Sequence, residues 1–231
     1  MDLALNDPRI IYRLGNLTAA STSEVLVSAR AYNEPASQAQ RSVKSSSASD
    51  GSAKTVRISY LDSAYVRKSE DVVLNGTTAV DTVGTDIRFI EAFDLVKGAA
   101  AVGAIELFPN TGGTGTAICG IGAATLQAFL CHHYVEAGKE CWVARWEGTT
   151  DDEASFKLLG QDRTNGVDLV DRVLDLEKKF SNALSPPILD AEFGRTLLGV
   201  KLPEKSYVRV TVVPNQTTST VVRARLYLWE P

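Results

Sequence analysis

The sequence predicts an all-β chain, an antiparallel β-sandwich or jelly roll with an extended N-terminal arm. Three observations lead there. In residues 55–82, Val56, Ile58 and Tyr60 alternate with Arg57 and Ser59, and a polar connection leads to Val72, Val73 and Leu74 before Asn75-Gly76. This is the period-two pattern of half-buried strands closed by turn residues. Residues 207–213 and 220–229 alternate in the same way on either side of Pro214-Asn215. Between these runs, short apolar stretches bounded by Gly, Pro and Asn recur every ~8–12 residues, the spacing of a sandwich or jelly roll.

The chain has 231 residues, of which 44% are hydrophobic and 23% charged, enough to bury a substantial core and well outside disordered composition. The expected organisation is an arm over 1–23 and a single β-sandwich domain over 24–231. A formal net charge of −4 with scattered Lys and Arg leaves no basic stripe to track phosphates, so no nucleic acid partner is expected. No apolar stretch approaches the ~20 residues of a membrane-spanning helix, and no signal segment is visible at the N-terminus. A soluble protein made in a cytoplasm, without membrane contact, is expected. Three cysteines, Cys119, Cys131 and Cys141, form no disulfide framework and read as buried, reduced thiols.

Taken in order, residues 1–14 place Leu3, Leu5, Ile10, Ile11 and Tyr12 around Asp7-Pro8. These five are the candidate partner-contact residues of an arm that docks on a neighbour, although a first strand of the same sheet fits the pattern equally. Residues 24–32 read as a strand. From 33 to 53 the chain turns Ser-, Ala- and Gln-rich, which predicts a mobile loop or a segment ordered only by a partner. After the central hairpin a third short strand is expected around 77–80. Aromatic and β-branched enrichment favours strand over helix in 85–96. Glycines then punctuate a meander with strands at 104–108 and 116–119. Residues 127–134 and 140–146 read as a second hairpin turning at Gly138, and 154–159 as a short strand. In 166–184, Leu169, Val170, Val173, Leu174, Glu177 and Phe180 fall at helical spacing before Pro186-Pro187, which predicts a helix.

No motif carries an enzyme assignment. Cys131, His133 and Cys141, with Cys119 as a fourth ligand, are the only metal-type cluster, and they lack the close ligand pairs usual for zinc. Neither metal nor cofactor is expected. The run Gly120 to Thr125, GIGAAT, lacks the third glycine and the β-α-β context of a dinucleotide fingerprint. The acidic groups Asp151, Asp152, Glu153 and Asp168, Asp171, Asp175 have no calcium-loop spacing. The two histidines are adjacent and no G-x-S-x-G motif occurs, so a nucleophilic triad has little to draw on.

Three segments together resemble a set of tailed-bacteriophage virion structural proteins: VRISYLDSAYVRKSEDVVLNGTTAVDT, then GAIELFPNTGGTGTAICGIGAATLQAFLCHHYVEAGKECWVARWEG, then LPEKSYVRVTVVP. The matching residues are Leu74, Asn75, Gly76 and Thr77, then His133, Tyr134, Ala137, Gly138 and Lys139, then Pro203, Val208 and Val210. Val135-Glu136 departs from the Val-Pro of the family turn. The resemblance implies a β-sandwich virion component, a capsid decoration or cement protein that binds the major capsid protein as a symmetric oligomer, expected to be a trimer. It also implies a strand where periodicity predicts a helix at 166–179. A tail, neck or baseplate part is the other location it allows. A carbohydrate-binding jelly roll is the competing reading, since Trp142, Trp146, Trp229, Tyr134 and Tyr227 could stack on sugars and strict alternation puts Trp142 and Trp146 on one face.

Overall fold

A computed structural model describes residues 10–19, 25–150, 154–163, 174–180, 200–214 and 220–231. Among these there is no helix, and every sheet pairing is antiparallel. The all-β sandwich holds. The single domain over 24–231 does not, because the chain divides into two compact units. Unit 1 comprises Met1–Val27 with Cys131–Pro231, and unit 2 is Ser28–Leu130. Unit 2 is thus an insertion, and its two crossing points lie side by side in unit 1. The Cys131 amide donates to the Val27 carbonyl (3.1 Å), Val27 to Val210 (3.1 Å) and Val210 to Cys131 (3.0 Å). An insertion between adjacent backbone points needs no linker, which is why composition shows no boundary.

In unit 1 one sheet runs β1 (Ile10–Ala19), β16 (Thr220–Trp229), β11 (Cys141–Thr150), β14 (Val200–Leu202). The other runs β10 (His132–Tyr134), β15 (Ser206–Pro214), β12 (Ala154–Asp162), β13 (Leu174–Phe180), with β2 (Val25–Leu26) also on β15. Alternation on β16 sends Val222, Ala224, Leu226 and Leu228 inward and Val221, Arg223 and Arg225 outward. The inward set shares one core with Phe156, Leu158, Val208, Val210 and Val212 of the second sheet. Each buried Val, Leu or Phe in this set contributes about 1.5–3 kcal/mol, so this two-sided core supplies the main driving force for the unit.

Several expectations are corrected here. Ile10–Ala19 is not a free arm but a strand paired along its whole length with β16, from Ile10 opposite Trp229 to Ala19 opposite Thr220. Its Gly15 packs so closely that an added Cβ would lie 2.5 Å from the Val27 carbonyl oxygen and 2.7 Å from the Cys131 Cβ. The strand expected over 24–32 shrinks to two residues. The hairpin expected at 127–146 does not form, since β10 pairs with β15 while β11 pairs with β16 and β14. Strands β15 and β16 likewise lie in different sheets, so the two do not pair as the hairpin expected around Pro214-Asn215. Residues 174–180 are strand, not helix, zipped to β12 from Leu174 opposite Gly160 to Phe180 opposite Ala154. A full cross-strand ladder overrides a local period that only an isolated segment would follow. The rest of 166–184 lies outside the described residues.

In unit 2 one sheet runs β5 (Arg67–Val73), β4 (Thr55–Leu61), β7 (Phe89–Lys97). The other runs β6 (Val80–Asp81), β3 (Ser42–Ser45), β8 (Ile105–Phe108), β9 (Cys119–Ile121). The hairpin expected at 55–74 forms, with Thr55 opposite Val73 and Leu61 opposite Arg67. Gly76 takes a φ of +60° in the turn that follows. The next strand nevertheless pairs with β3 instead of extending the hairpin. Val56, Ile58, Val72 and Phe93 from one sheet and Val43, Ile105, Leu107 and Ile121 from the other fill a second core.

The Ser-rich segment at 33–53 is the main surprise: it is built into unit 2 rather than mobile. Two buried charges replace the apolar surface it lacks. The Arg41 guanidinium donates to the carbonyls of Ser37, Ile87 (2.8 Å) and Pro109 (2.6 Å). The Asp50 carboxylate is fully buried and accepts from Lys54 (2.6 Å), Ser45 (2.6 Å) and the amides of Val102 and Gly103 (both 2.9 Å), while its own carbonyl accepts from Gly76 (2.9 Å). Burial alone would raise the Asp50 pKa, but these hydrogen bonds outweigh it and hold the carboxyl well below its usual 3.8.

Removing one partner of such a buried pair leaves the other unpaired. Asp50→Ala is therefore expected to destabilise the protein by roughly 3–5 kcal/mol in chemical denaturation; an unchanged midpoint would refute the role given to Asp50. Because the folded pKa is depressed, the stabilisation is fully present above the ordinary value of 3.8 and is lost as the pH falls below it. The variant should accordingly lose its stability deficit in strong acid. In unit 1, Gly15→Ala should cost roughly 1–3 kcal/mol through overpacking. A neutral result there would mean that β1 is not seated against Val27 and Cys131.

Candidate functional site

A buried polar cluster lies in unit 1, where three strands end near one another. Strand β10 is buried throughout, and its alternation splits its side chains between two faces. His132 and Tyr134 go to one face with Tyr207, where the two tyrosine rings stack at 4.3 Å and His132 Nδ1 lies 3.1 Å from the Tyr207 hydroxyl. His133 goes to the other. There its Nδ1 lies 3.3 Å from Arg13 Nη2 on β1, and its Nε2 lies 2.7 Å from Glu230 Oε1, one residue past β16. Arginine only donates, so Nδ1 accepts and Nε2–H donates to the carboxylate. The neutral tautomer is set by these two partners.

Cys141, the first residue of β11, completes the group. One ligand atom each from His133, Cys141 and Glu230 lie within 4.8 Å of one another, with His133 and Cys141 buried and Glu230 partly so. The ligand set considered from spacing is thereby rearranged. Cys131 turns its thiol to the Arg13 carbonyl (3.9 Å), and Cys119 belongs to unit 2. Glu230 and Arg13 were invisible to spacing arguments, since they stand 97 and 120 residues from His133. The arrangement can act as a closed hydrogen-bonded clamp or, on losing protons, as a set of metal ligands.

The aromatic residues divide differently from strict alternation. The register of β11 against β16 shifts between Val143 and Arg145. This irregularity reverses the parity of the strand beyond it. Trp146 therefore turns inward and is buried, while Trp142 stays half-exposed opposite Trp229, ring centroids 4.9 Å apart, with the Lys201 ammonium over Trp142. Tyr134 is buried as well. Of the five aromatics considered for sugar stacking, only Trp142, Trp229 and the half-buried Tyr227 retain exposed surface on that sheet.

The other sequence-derived candidates do not converge. Leu3 and Leu5 lie outside the described residues. Ile10, Ile11 and Tyr12 stand on β1 opposite Trp229, Leu228 and Tyr227, and Ile11 packs against the core. The run 120–125 ends β9 and makes a turn closed by Thr125 on the Gly122 carbonyl, with no helix after it to cradle a phosphate. Asp151, Asp152, Glu153, Asp168 and Asp171 lie outside the described residues, and Asp175 stands on β13 opposite Leu159. A shallow cleft on unit 2 is lined by Arg57, Ser59, Arg67, Lys68 and Ser69. Arg57 is paired with Asp71 (2.7 Å), and Lys68 with Asp62 (2.9 Å) and Asp86 (2.5 Å), so the cleft carries little net positive charge.

Neither a protein-family profile nor a curated protein sequence matches the chain. Solved structures with weak similarity to the chain include several of infectious bursal disease virus. The structure of the Gt strain is 11% identical, covering 99% of this chain and 73% of that chain, with a TM-score of 0.14. For the Gx strain the values are 12%, 96%, 80% and 0.13, and for the VP2 subviral particle 9%, 98%, 82% and 0.14. Similarity at this level carries no argument about fold or function.

All three cysteines are free and buried. Burial pushes the Cys119 and Cys131 thiols up from their ordinary value, aided at Cys119 by the charge of Asp94 and offset in part at Cys131 by Arg13. Native protein is expected to react with a thiol reagent only slowly, and denatured protein to release all three thiols at once. Rapid stoichiometric labelling of the native protein would contradict this placement.

Proposed function

We infer that the chain is a structural protein of a tailed-phage virion, a capsid decoration or cement protein that binds the major capsid protein as a symmetric homotrimer. The observation that supports the reading is where the residues matching that family fall. Leu74 is core, and Asn75-Gly76 is the turn whose amide reaches Asp50. Gly138 has a φ of +75° in a turn closed by Lys139 on the Glu136 carbonyl. Tyr134, Val208 and Val210 are buried on adjacent strands, and His133 is held by Arg13 and Glu230. All are framework residues. A protein whose shared positions only shape turns and cores acts through its surface, not through a reacting centre, and no enzymatic activity is assigned to it.

Contact is offered at sheet edges. Strand β1 borders only β16 in its sheet, so one side of its backbone ladder is open among the described residues. An open edge can accept a strand from a second copy or from the shell. Three copies around a local threefold of an icosahedral lattice would multiply weak contacts into stable attachment. This role needs neither nucleic acid nor membrane, and it places the protein in the virion. One observation favours a second reading, in which the half-exposed Trp142 and Trp229 pair stacks on a glycan.

Light scattering of the purified protein is expected to give three protomers, and quantitative mass spectrometry of particles hundreds of copies. A monomer at high concentration, or tens of copies or fewer per particle, would overturn the decoration role and favour the tail, neck or baseplate. Deleting residues 1–9 leaves β1 whole, and is expected to reduce assembly or shell occupancy with the fold retained. Extending the deletion through Gly15 removes six of the ten residues of β1 and should unfold unit 1. Glycan-array binding that disappears in Trp142→Ala would transfer the assignment to the sugar reading.

A further inference from the structure

We propose that His133, Cys141 and Glu230 form a zinc site that clamps the two sheets of unit 1 together at one end. The three ligands come from both sheets: His133 from β10, Cys141 from the start of β11, and Glu230 from the residue after β16. An imidazole nitrogen, a thiolate and a carboxylate are the donors that zinc takes, at about 2.0–2.3 Å each. A tetrahedral site built on such bonds spaces its ligand atoms roughly 3.3–3.8 Å apart. Here His133 Nε2 and Glu230 Oε1 stand 2.7 Å apart, and all three ligand atoms lie within 4.8 Å of one another. Side-chain movements of about an ångström would close the site, without backbone change. Its fourth position is open to a water or to the second oxygen of Glu230.

Burial and access suit a structural ion. His133 and Cys141 are fully buried, whereas the Glu230 side chain keeps 13% exposure at the end of its strand and provides the way in. The proton balance is defined. Binding expels the Cys141 thiol proton to solvent and moves the imidazole proton from Nε2 to Nδ1, so one proton is released per zinc bound. Arg13 opposes this change, because its guanidinium donates to the nitrogen that must become the proton carrier, and it adds a positive charge beside the ion. The metal-free clamp, with Arg13, His133 and Glu230 mutually satisfied, therefore competes with the zinc-bound one. Arg13 acts as a brake on affinity.

Full-length protein stripped with a chelator would be titrated with zinc chloride by calorimetry and with cobalt chloride by absorption. One equivalent of metal and a thiolate-to-cobalt charge-transfer band are expected for the unaltered protein. Both should be lost in Cys141→Ser and weakened at least tenfold in Glu230→Gln, a near-isosteric substitution near the surface that replaces the carboxylate with a neutral carboxamide. Arg13→Leu should bind about tenfold more tightly, since groups that hydrogen-bond to a ligating histidine shift metal affinity on the order of 10–100-fold, and this gain is one that a merely structural role of Arg13 would not produce. Circular dichroism establishes that each variant is folded. No metal uptake by the folded protein would overturn the proposal. So would uptake that survives Cys141→Ser and Glu230→Gln unchanged, since the ion would then sit elsewhere.

Discussion

Unit 1 depends on a closure that sequence order does not suggest: the first described strand and the last one are neighbours. The pairing of β1 with β16 joins residues 10–19 to 220–229, and Val27, Cys131 and Val210 hydrogen-bond side by side where unit 2 departs and returns. Until the ends meet, β16 lacks one of its two neighbours, and Gly15 has no wall formed by Val27 and Cys131 to pack against. Contacts this far apart in sequence carry a large loop-closure cost. Unit 2 has its own core and its own buried ion network.

Unit 2 meets a different constraint. Its stretch from 33 to 53 has too little apolar surface to order itself by burial, so buried ionic groups do the work. Asp50 gathers Ser45, Lys54, Val102 and Gly103 around one carboxylate, and Arg41 gathers three carbonyls. Such groups are expensive to desolvate and are tolerated because nearly every lone pair and proton finds a partner. They also specify one arrangement. An apolar contact tolerates sliding, whereas a carboxylate with four donors does not.

The same logic joins structure and proposed role. The proposed role asks for fixed edges and faces, and each unit couples an aliphatic core to a polar node with several hydrogen-bond partners. In unit 1 the polar node is the chain Arg13, His133, Glu230, with Cys141 beside it. It sits where strands from both sheets end, so loosening it would free the sheets at that end. A zinc ion there would strengthen a clamp that already exists, not create a new fold element.

Patterns local in sequence were readable from the residues alone, and patterns that depend on long-range pairing were not. The hairpin at 55–74 and the strands at 207–213 and 220–229 follow from alternation, because one-sided burial imposes a period of two on any strand. The free, buried state of the cysteines followed from their number and spacing. Tertiary structure decided the rest. It alone settles that 174–180 joins β12 as a strand, since the ladder supplies hydrogen bonds that helical spacing cannot foresee. It alone turns Trp146 inward, through a register shift that no residue type announces. The partition into two units was hidden because the crossing points touch, and the His133 cluster because its partners are separated by most of the chain. A sequence specifies which faces want burial; only the folded backbone decides which faces, and which buried charges, meet.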